Sequence, residues 1–283
     1  MKLILNTLGC PGWSFDRVIS EAAALGFSGI EIRGLGGILD TNEIPELSDA
    51  GAYYFKSALE KYRLRAICLG TSASFHDINT YNRSLNEAKN AVIRAYSCNI
   101  SAIRVFGNNI PAGSSERAIA DQVCDAIKYL CRFSNSLKCS SYPETENPVK
   151  ILLEAHGDFN NSAILGYVCD KIKDSAFGII WDIAHTDRAF NAGHGSYTEF
   201  YGKLKAYIHH LHIKDHIKTP DGYSLCSIGK GTIPIKEIIQ MLIDDNYKGC
   251  LSYELEKRWH PELPEPENEF RSFINYMSNL LYI

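Results

Sequence analysis

The 283-residue chain reads as an α/β protein, a single (β/α)8 TIM barrel. Two observations predict this. Short apolar runs rich in Ile, Val and Leu alternate eight times with longer amphipathic stretches, the pattern of strand–helix units around a parallel sheet. No Ser- or Gly-rich linker and no shift of composition divides the chain, so eight units over this length fit one closed barrel across residues 1–283.

Taken in order, the strands are expected at residues 3–8, 29–32, 65–69, 102–106, 150–154, 178–182, 208–213 and 250–254. Each is short and apolar, as parallel strands buried on both faces must be. Helices are expected at 15–25, 48–61, 83–98, 115–136, 162–173, 197–204, 235–244 and 267–281, with Ser48, Ser115 and Ser162 as N-caps. The last begins after Pro261, Pro264 and Pro266, which cannot continue a helix. An open doubly wound sheet would more often carry a glycine-rich phosphate turn after its first strand. Here Gly34-Leu35-Gly36-Gly37 follows the second strand and does not match G-x-G-x-x-G.

Composition narrows the functional classes. With 45% hydrophobic and 22% charged residues the chain has ample material for a core. A net charge of −4 supplies no overall basic field for phosphate backbones, which argues against nucleic acid as a partner. No stretch reaches the roughly 18–20 apolar residues that span a bilayer, and the apolar N-terminus is too brief for a signal peptide, so no membrane partner and a cytoplasmic location are expected. Nine cysteines lack paired C-x-x-C spacing; Cys68, Cys98, Cys124 and Cys169 lie in apolar segments, so reduced thiols are expected.

In a barrel of this kind reactive groups gather at the C-terminal ends of the strands. The last four strands end in Leu153-Glu154-Ala155-His156-Gly157, Trp181-Asp182-Ile183-Ala184-His185, His210-Leu211-His212-Ile213-Lys214-Asp215 and Tyr253-Glu254-Leu255-Glu256. Each offers a metal ligand. Carboxylates buried together repel, and one divalent cation held by Glu154, Asp182, His212 and Glu254 resolves that repulsion. Three oxygen ligands and one imidazole suit manganese, magnesium, cobalt or zinc. The alternative is a ring of salt bridges to Lys214, Arg104, Lys257 or Arg258, which gives no reason for His212.

These segments resemble the xylose-isomerase-like barrel superfamily of sugar epimerases and isomerases, inosose dehydratases and endonuclease-four-type apurinic endonucleases. The likeness is strongest from Ile151 to His260. It includes Ile228-Gly229-Lys230-Gly231-Thr232-Ile233-Pro234 and Asn246-Tyr247-Lys248-Gly249-Cys250-Leu251-Ser252-Tyr253-Glu254, similar to that superfamily's "GxG-x-I…GY-x-G…E" ending. The resemblance implies that the four ligands are those named above, and that Glu154 and Glu254 stand on opposite faces of a sugar and exchange a proton beside its carbonyl. Proton return to the same carbon through a cis-enediolate gives epimerisation, return to the neighbouring carbon gives isomerisation, and loss of a β-hydroxyl gives dehydration. A small sugar or polyol substrate and, since many relatives are dimers or tetramers, a homo-oligomer follow from the same resemblance. An apurinic endonuclease is the weaker relative, because its further metal ligands cannot be assembled here beyond His76. A catalytically silent sugar-binding barrel is the reading from outside the enzymes.

Several other residues are candidate substrate contacts, each with a plainer role beside it. His185 follows Asp182 in D-x-x-H spacing, and His156 follows Glu154; either binds hydroxyls or makes structural hydrogen bonds. Trp13 walls the apolar face of a sugar or packs a loop. Glu31 positions substrate or pairs with Arg33 or Arg65. Lys214 and Arg258 contact substrate or form ion pairs. His76 and His216 carry weaker signals, His194 and His209 read as structural, and Gly229-Lys230-Gly231 is a candidate phosphate cradle.

Overall fold

Residues 1–137 and 148–281 are described by the computed structural model. Seven parallel strands follow one another around the ring: β1 (Lys2–Asn6), β2 (Gly29–Ile32), β3 (Arg65–Ser74), β4 (Ala102–Phe106), β5 (Lys150–Glu154), β6 (Phe177–Asp182) and β7 (Ile208–Ile213). A hairpin of β8 (Asp215–Thr219) and β9 (Gly222–Cys226) interrupts the alternation. The eighth barrel strand, β10 (Cys250–Tyr253), then pairs with β7 on one side and β1 on the other, which closes the ring. The helices are α1 (Phe15–Leu25), α2 (Ala52–Lys61), α3 (Tyr81–Ser97), α4 (Glu116–Leu137), α5 (Ser162–Ile172), α6 (Ile183–Asn191), α7 (Tyr197–Leu204), α8 (Ile235–Asp244) and α9 (Pro266–Leu281).

The eight-strand barrel is the architecture the sequence predicts, with differences at the ends of elements. The first strand stops at Asn6 because the Asn6 Oδ1 accepts from Leu8 N–H at 3.0 Å and turns Thr7–Gly9 into a 3-10 turn. The third runs on to Ser74. Ser48 does not cap α2. Its Oγ donates to Pro45 O and receives Gly51 N–H, holding a turn after Pro45–Leu47, and the helix starts four residues later than expected. Asn161, not Ser162, caps α5 through bonds from Ala163 and Ile164 N–H.

Two cores result. Between strands and helices lies the larger, where Trp181 stacks on Phe200 at 5.1 Å and Tyr253 on Phe273 at 4.4 Å. Inside the ring Ile4, Cys68, Ala102, Leu152 and Ile180 form a smaller plug. Side chains alternate along a strand, so two residues beyond these toward the C-terminal end Asn6, Gly70, Arg104, Glu154 and Asp182 also face inward. The plug is therefore the floor of a polar mouth. Among the described residues no helix is long and apolar enough to cross a membrane. Eight cysteines are free thiols, and Cys139 lies outside the described residues.

The hairpin was not expected, and its anchor corrects one expectation. Asp215, 2% exposed, accepts backbone N–H groups from Gly229 at 3.0 Å and Gly231 at 2.9 Å. The turn read as a phosphate cradle is thus occupied by a carboxylate of the protein itself. A Cβ on Gly231 would stand 2.0 Å from Asp215 Oδ1 and 2.4 Å from His216 O. Gly231→Ala should therefore lower stability by about 1–3 kcal/mol, the usual cost of overpacking. Gly202→Ala, inside α7 with nothing within 4 Å, should raise it by about 0.5–1 kcal/mol. Thermal melts of the two variants against wild type check the pair, and equal melts would contradict the anchor.

Candidate metal centre

Around the mouth, four side chains from successive positions in the ring converge. Glu154 ends β5, Asp182 ends β6, His212 lies in β7 and Glu254 follows β10; they are 2%, 0%, 0% and 3% exposed. One ligand atom from each lies within 4.8 Å of the others. The His212 Nδ1 sits among three carboxylates, 3.3 Å from Glu254 Oε2, 3.7 Å from Asp182 Oδ2 and 3.8 Å from Glu154 Oε1.

The opposite nitrogen fixes the ring. His212 Nε2 lies 3.1 and 3.2 Å from the two oxygens of Glu31, and Ser252 Oγ donates to Glu31 Oε2 at 2.6 Å. Glu31 therefore pairs with neither Arg33 nor Arg65, as its alternative reading had it. It is buried against His212, with His210 Nε2 3.4 Å away. A carboxylate behind an imidazole sets its tautomer and aims its free nitrogen. Glu31, His210 and His212 also form a compact group of their own, but there His212 Nε2 is already engaged with Glu31.

Asp182 divides its carboxylate. Its Oδ1 caps α6, accepting from Ala184 and His185 N–H, each at 2.9 Å, while Oδ2 turns into the mouth. This cap starts a helix directly on the strand end, where the sequence reading had only loop.

The ion-pair alternative is partly realised. Arg104 Nη1 lies 3.0 Å from Glu154 Oε2 and 3.6 Å from Glu254 Oε1. Lys214 Nζ lies 2.8 Å from Asp182 Oδ2, 2.6 Å from Glu254 Oε2 and 2.6 Å from Glu256 Oε1. Lys257 and Arg258 do not take part: Lys257 bonds Pro261 and Leu263 carbonyls and Glu265, and Arg258 bonds Gly37 O. Four carboxylates, Glu154, Asp182, Glu254 and Glu256, thus meet two permanent cations, and a fifth, Glu31, meets only histidines. Burial works against the charge of each group and is outweighed. Lys214 and His185 hold Asp182 well below its usual range, and Glu254, Glu31 and Glu154 hold the His212 imidazole well above its own. The His212 Nδ1 is buried without a hydrogen bond, and Glu154 Oε2 and Asp182 Oδ2 meet only the cations Arg104 and Lys214. Excess negative charge, with three carboxylates and one imidazole converging on one buried point, fits a divalent cation.

The other predicted contacts are spread out. His156 and His185 lie together, ring centres 4.0 Å apart, with His156 against Phe106 at 5.0 Å. Burial, before the opposing charge of Asp182, takes the His185 pKa down to about 3, so its ring is neutral. Trp13 is 6% exposed, edge-on to Phe270 and under Arg17; it packs in the core. His76 is half-buried past the end of β3, outside the four-residue group, with Nδ1 unbonded. His216, weakly signalled, is fully buried against Asp187 at 2.7 Å. Ser252 and His210 were missed. Reading β7 and β10 strictly in alternation from His212 and Glu254 would have placed both inside.

A closed eight-strand barrel with acids and a histidine at its C-terminal mouth defines the class. The chain belongs to the xylose isomerase-like TIM barrel family, whose model matches residues 19–279. No curated protein matches the sequence. Solved structures share the fold. The IOLI protein with a bound zinc atom has 16% identity and a TM-score of 0.79 over 99% of this chain and 98% of that one. The probable 3-DHS dehydratase AsbF of Bacillus anthracis has 15% and 0.75 over 98% and 99%. D-allulose 3-epimerase from Methylomonas sp. has 15% and 0.74 over 99% and 98%.

If Glu31 aims His212, Glu31→Gln should weaken divalent-cation binding by about 10–100-fold while leaving the fold intact. Competition titration with manganese or zinc measures this. Affinity equal to wild type would remove Glu31 from that role.

Proposed function

We propose that this protein is a divalent-cation-dependent epimerase or isomerase that moves a proton next to the carbonyl of a small sugar or polyol-derived ketose. The observation that carries the reading is the convergence of Glu154, Asp182, Glu254 and the unbonded His212 Nδ1 at one buried point of the mouth. These four would hold the cation, with manganese, cobalt, magnesium and zinc all suited to the donor set. When bound, the cation withdraws electron density from a substrate carbonyl and makes the adjacent C–H more acidic.

The chain's own residues supply the rest. Glu154 ends β5 and Glu254 follows β10, strands separated in the ring by β6 and β7, so they flank the centre from different sides. Two carboxylates so placed can take a proton from one face of a carbon and return one to the other. Arg104 fixes Glu154, and His212 and Lys214 keep Glu254 ionised against its burial. His185, neutral and beside His156, offers hydrogen bonds to hydroxyl groups without adding charge. A reducing compartment such as the cytoplasm suits the free thiols.

The test is elemental analysis of wild type, Glu154→Gln and His212→Ala, followed by incubation with a panel of ketoses in deuterated water. About one metal per wild-type chain, with affinity lost in His212→Ala, is expected. Deuterium should enter beside the carbonyl, and Glu154→Gln should slow that exchange by about 10²–10⁴-fold. A wild type that takes up none of the four metals would overturn the reading.

A further inference from the structure

The four residues of the candidate metal centre come from one half of the ring, on β5, β6, β7 and after β10, and the one acid facing them from β2, Glu31, is taken by His212. The facing half carries donors with nothing to donate to. Asn6 Nδ2 on β1 and Arg104 Nε on β4 are buried and unbonded. Between them in the ring, Arg33 directly follows β2, continuing the inward alternation of Glu31, and is 8% exposed. It lies alongside Arg104 over Gly70. A Cβ on that glycine would stand 2.9 Å from Arg33 Cδ and 3.4 Å from Arg104 Nη2.

Burying a guanidinium is costly unless it is neutralised. Yet Arg33 has no carboxylate within 4.0 Å among the described residues, and its side chain makes one hydrogen bond, from Nη2 to Ser72 Oγ at 2.8 Å. The acids in its field are engaged elsewhere. Glu87 receives Ser72 N–H, and Glu154 and Glu254 are held by Arg104, Lys214 and His212. Burial, then repulsion from Arg104, pushes the Arg33 pKa down to about 9, so the group stays charged at neutral pH while under-compensated. A guanidinium presents five N–H donors in a fork matched to carboxylate and phosphate oxygens. Ser72, the partner that the fork bonds, is exposed. The glycine-rich turn that could have held an anion instead holds Asp215.

We infer that Arg33, with Ser72 and Arg104 beside it, forms an anion subsite across the mouth from the carboxylate cluster, and that the substrate carries a carboxylate or phosphate at the end remote from its hydroxyketone. This rests on the proposed function for the hydroxyketone end and on Arg33 alone for the anionic end.

The test compares D-fructose, D-fructuronate and D-fructose 6-phosphate, which share a hydroxyketone and differ at the far carbon, as ligands of the manganese-loaded protein by calorimetry. One anionic probe should bind wild type roughly tenfold to a hundredfold more tightly than D-fructose, and Arg33→Met should remove that advantage while D-fructose stays within about twofold. The preferred probe tells carboxylate from phosphate. Equal binding of all three by wild type, or an equal loss of all three in the variant, overturns the subsite. If Arg33→Met does not fold, Arg33→Lys carries the same comparison, since it keeps the charge and loses the fork. Inorganic phosphate titrated into metal-free protein separates the two readings. Acetate is titrated in the same way: binding of either anion weakened by the Arg33 variant supports the subsite even where manganese fails to bind, and binding of both that is absent, or the same in wild type and variant, overturns it even where manganese binds.

Discussion

His212 is held from both sides, and the rest of the mouth is arranged around that constraint. Glu31, itself held by Ser252, secures one ring nitrogen from the floor of the barrel, which leaves the other aimed at three carboxylates. A histidine free to rotate would turn Nδ1 toward water or a backbone carbonyl. Because the strand ends that carry these groups are pinned by parallel pairing, Asp182 opposite His212 and His212 opposite Ser252, the arrangement needs no loop to close over it. The site is as rigid as the barrel.

Rigidity is matched by an imbalance of charge. Arg104 and Lys214 compensate part of the acidic cluster, each reaching two or more carboxylates, and both are nearly as buried as the acids they serve. That is too little positive charge for the acids on β5 to β10. On the β1 to β4 side Glu31 is taken by His212, and Arg33 has no carboxylate within 4.0 Å among the described residues. A divalent cation relieves the first deficit and an anionic group on the substrate the second, whereas a neutral sugar leaves Arg33 unmatched.

Much of this was legible in the sequence because it depends on period and position. Eight apolar runs gave the barrel, and the rule that chemistry sits at C-terminal strand ends pointed to Glu154, Asp182, His212 and Glu254, which the structure gathers at one point. What escaped depends on contacts between distant strands or on a side chain with two uses. Nothing local to Glu31 says that its partner is 181 residues away rather than Arg33 two residues on. Asp182 ended a strand so plainly that its second use, as the N-cap of α6, was hidden. The β8–β9 hairpin did carry a turn signal, Pro220-Asp221-Gly222, but its strands are mostly part-buried or exposed, and largely polar, and so do not stand out beside the apolar barrel strands. Trp13 shows the converse, an aromatic at a strand end whose partners, Phe270 and Arg17, make it part of the core.

The divided carboxylate of Asp182 limits how this site can change by mutation. One oxygen belongs to the backbone of α6 and the other to the mouth. Asparagine would keep the cap and forfeit the charge, while glutamate would keep the charge and lift it off the helix by one methylene. No single replacement serves both uses, so drift at this position is closed even where the catalytic outcome is free to vary. New specificities are open instead to residues with one use, such as Arg33 and Ser72, where a substitution disturbs the ligand and leaves the scaffold alone.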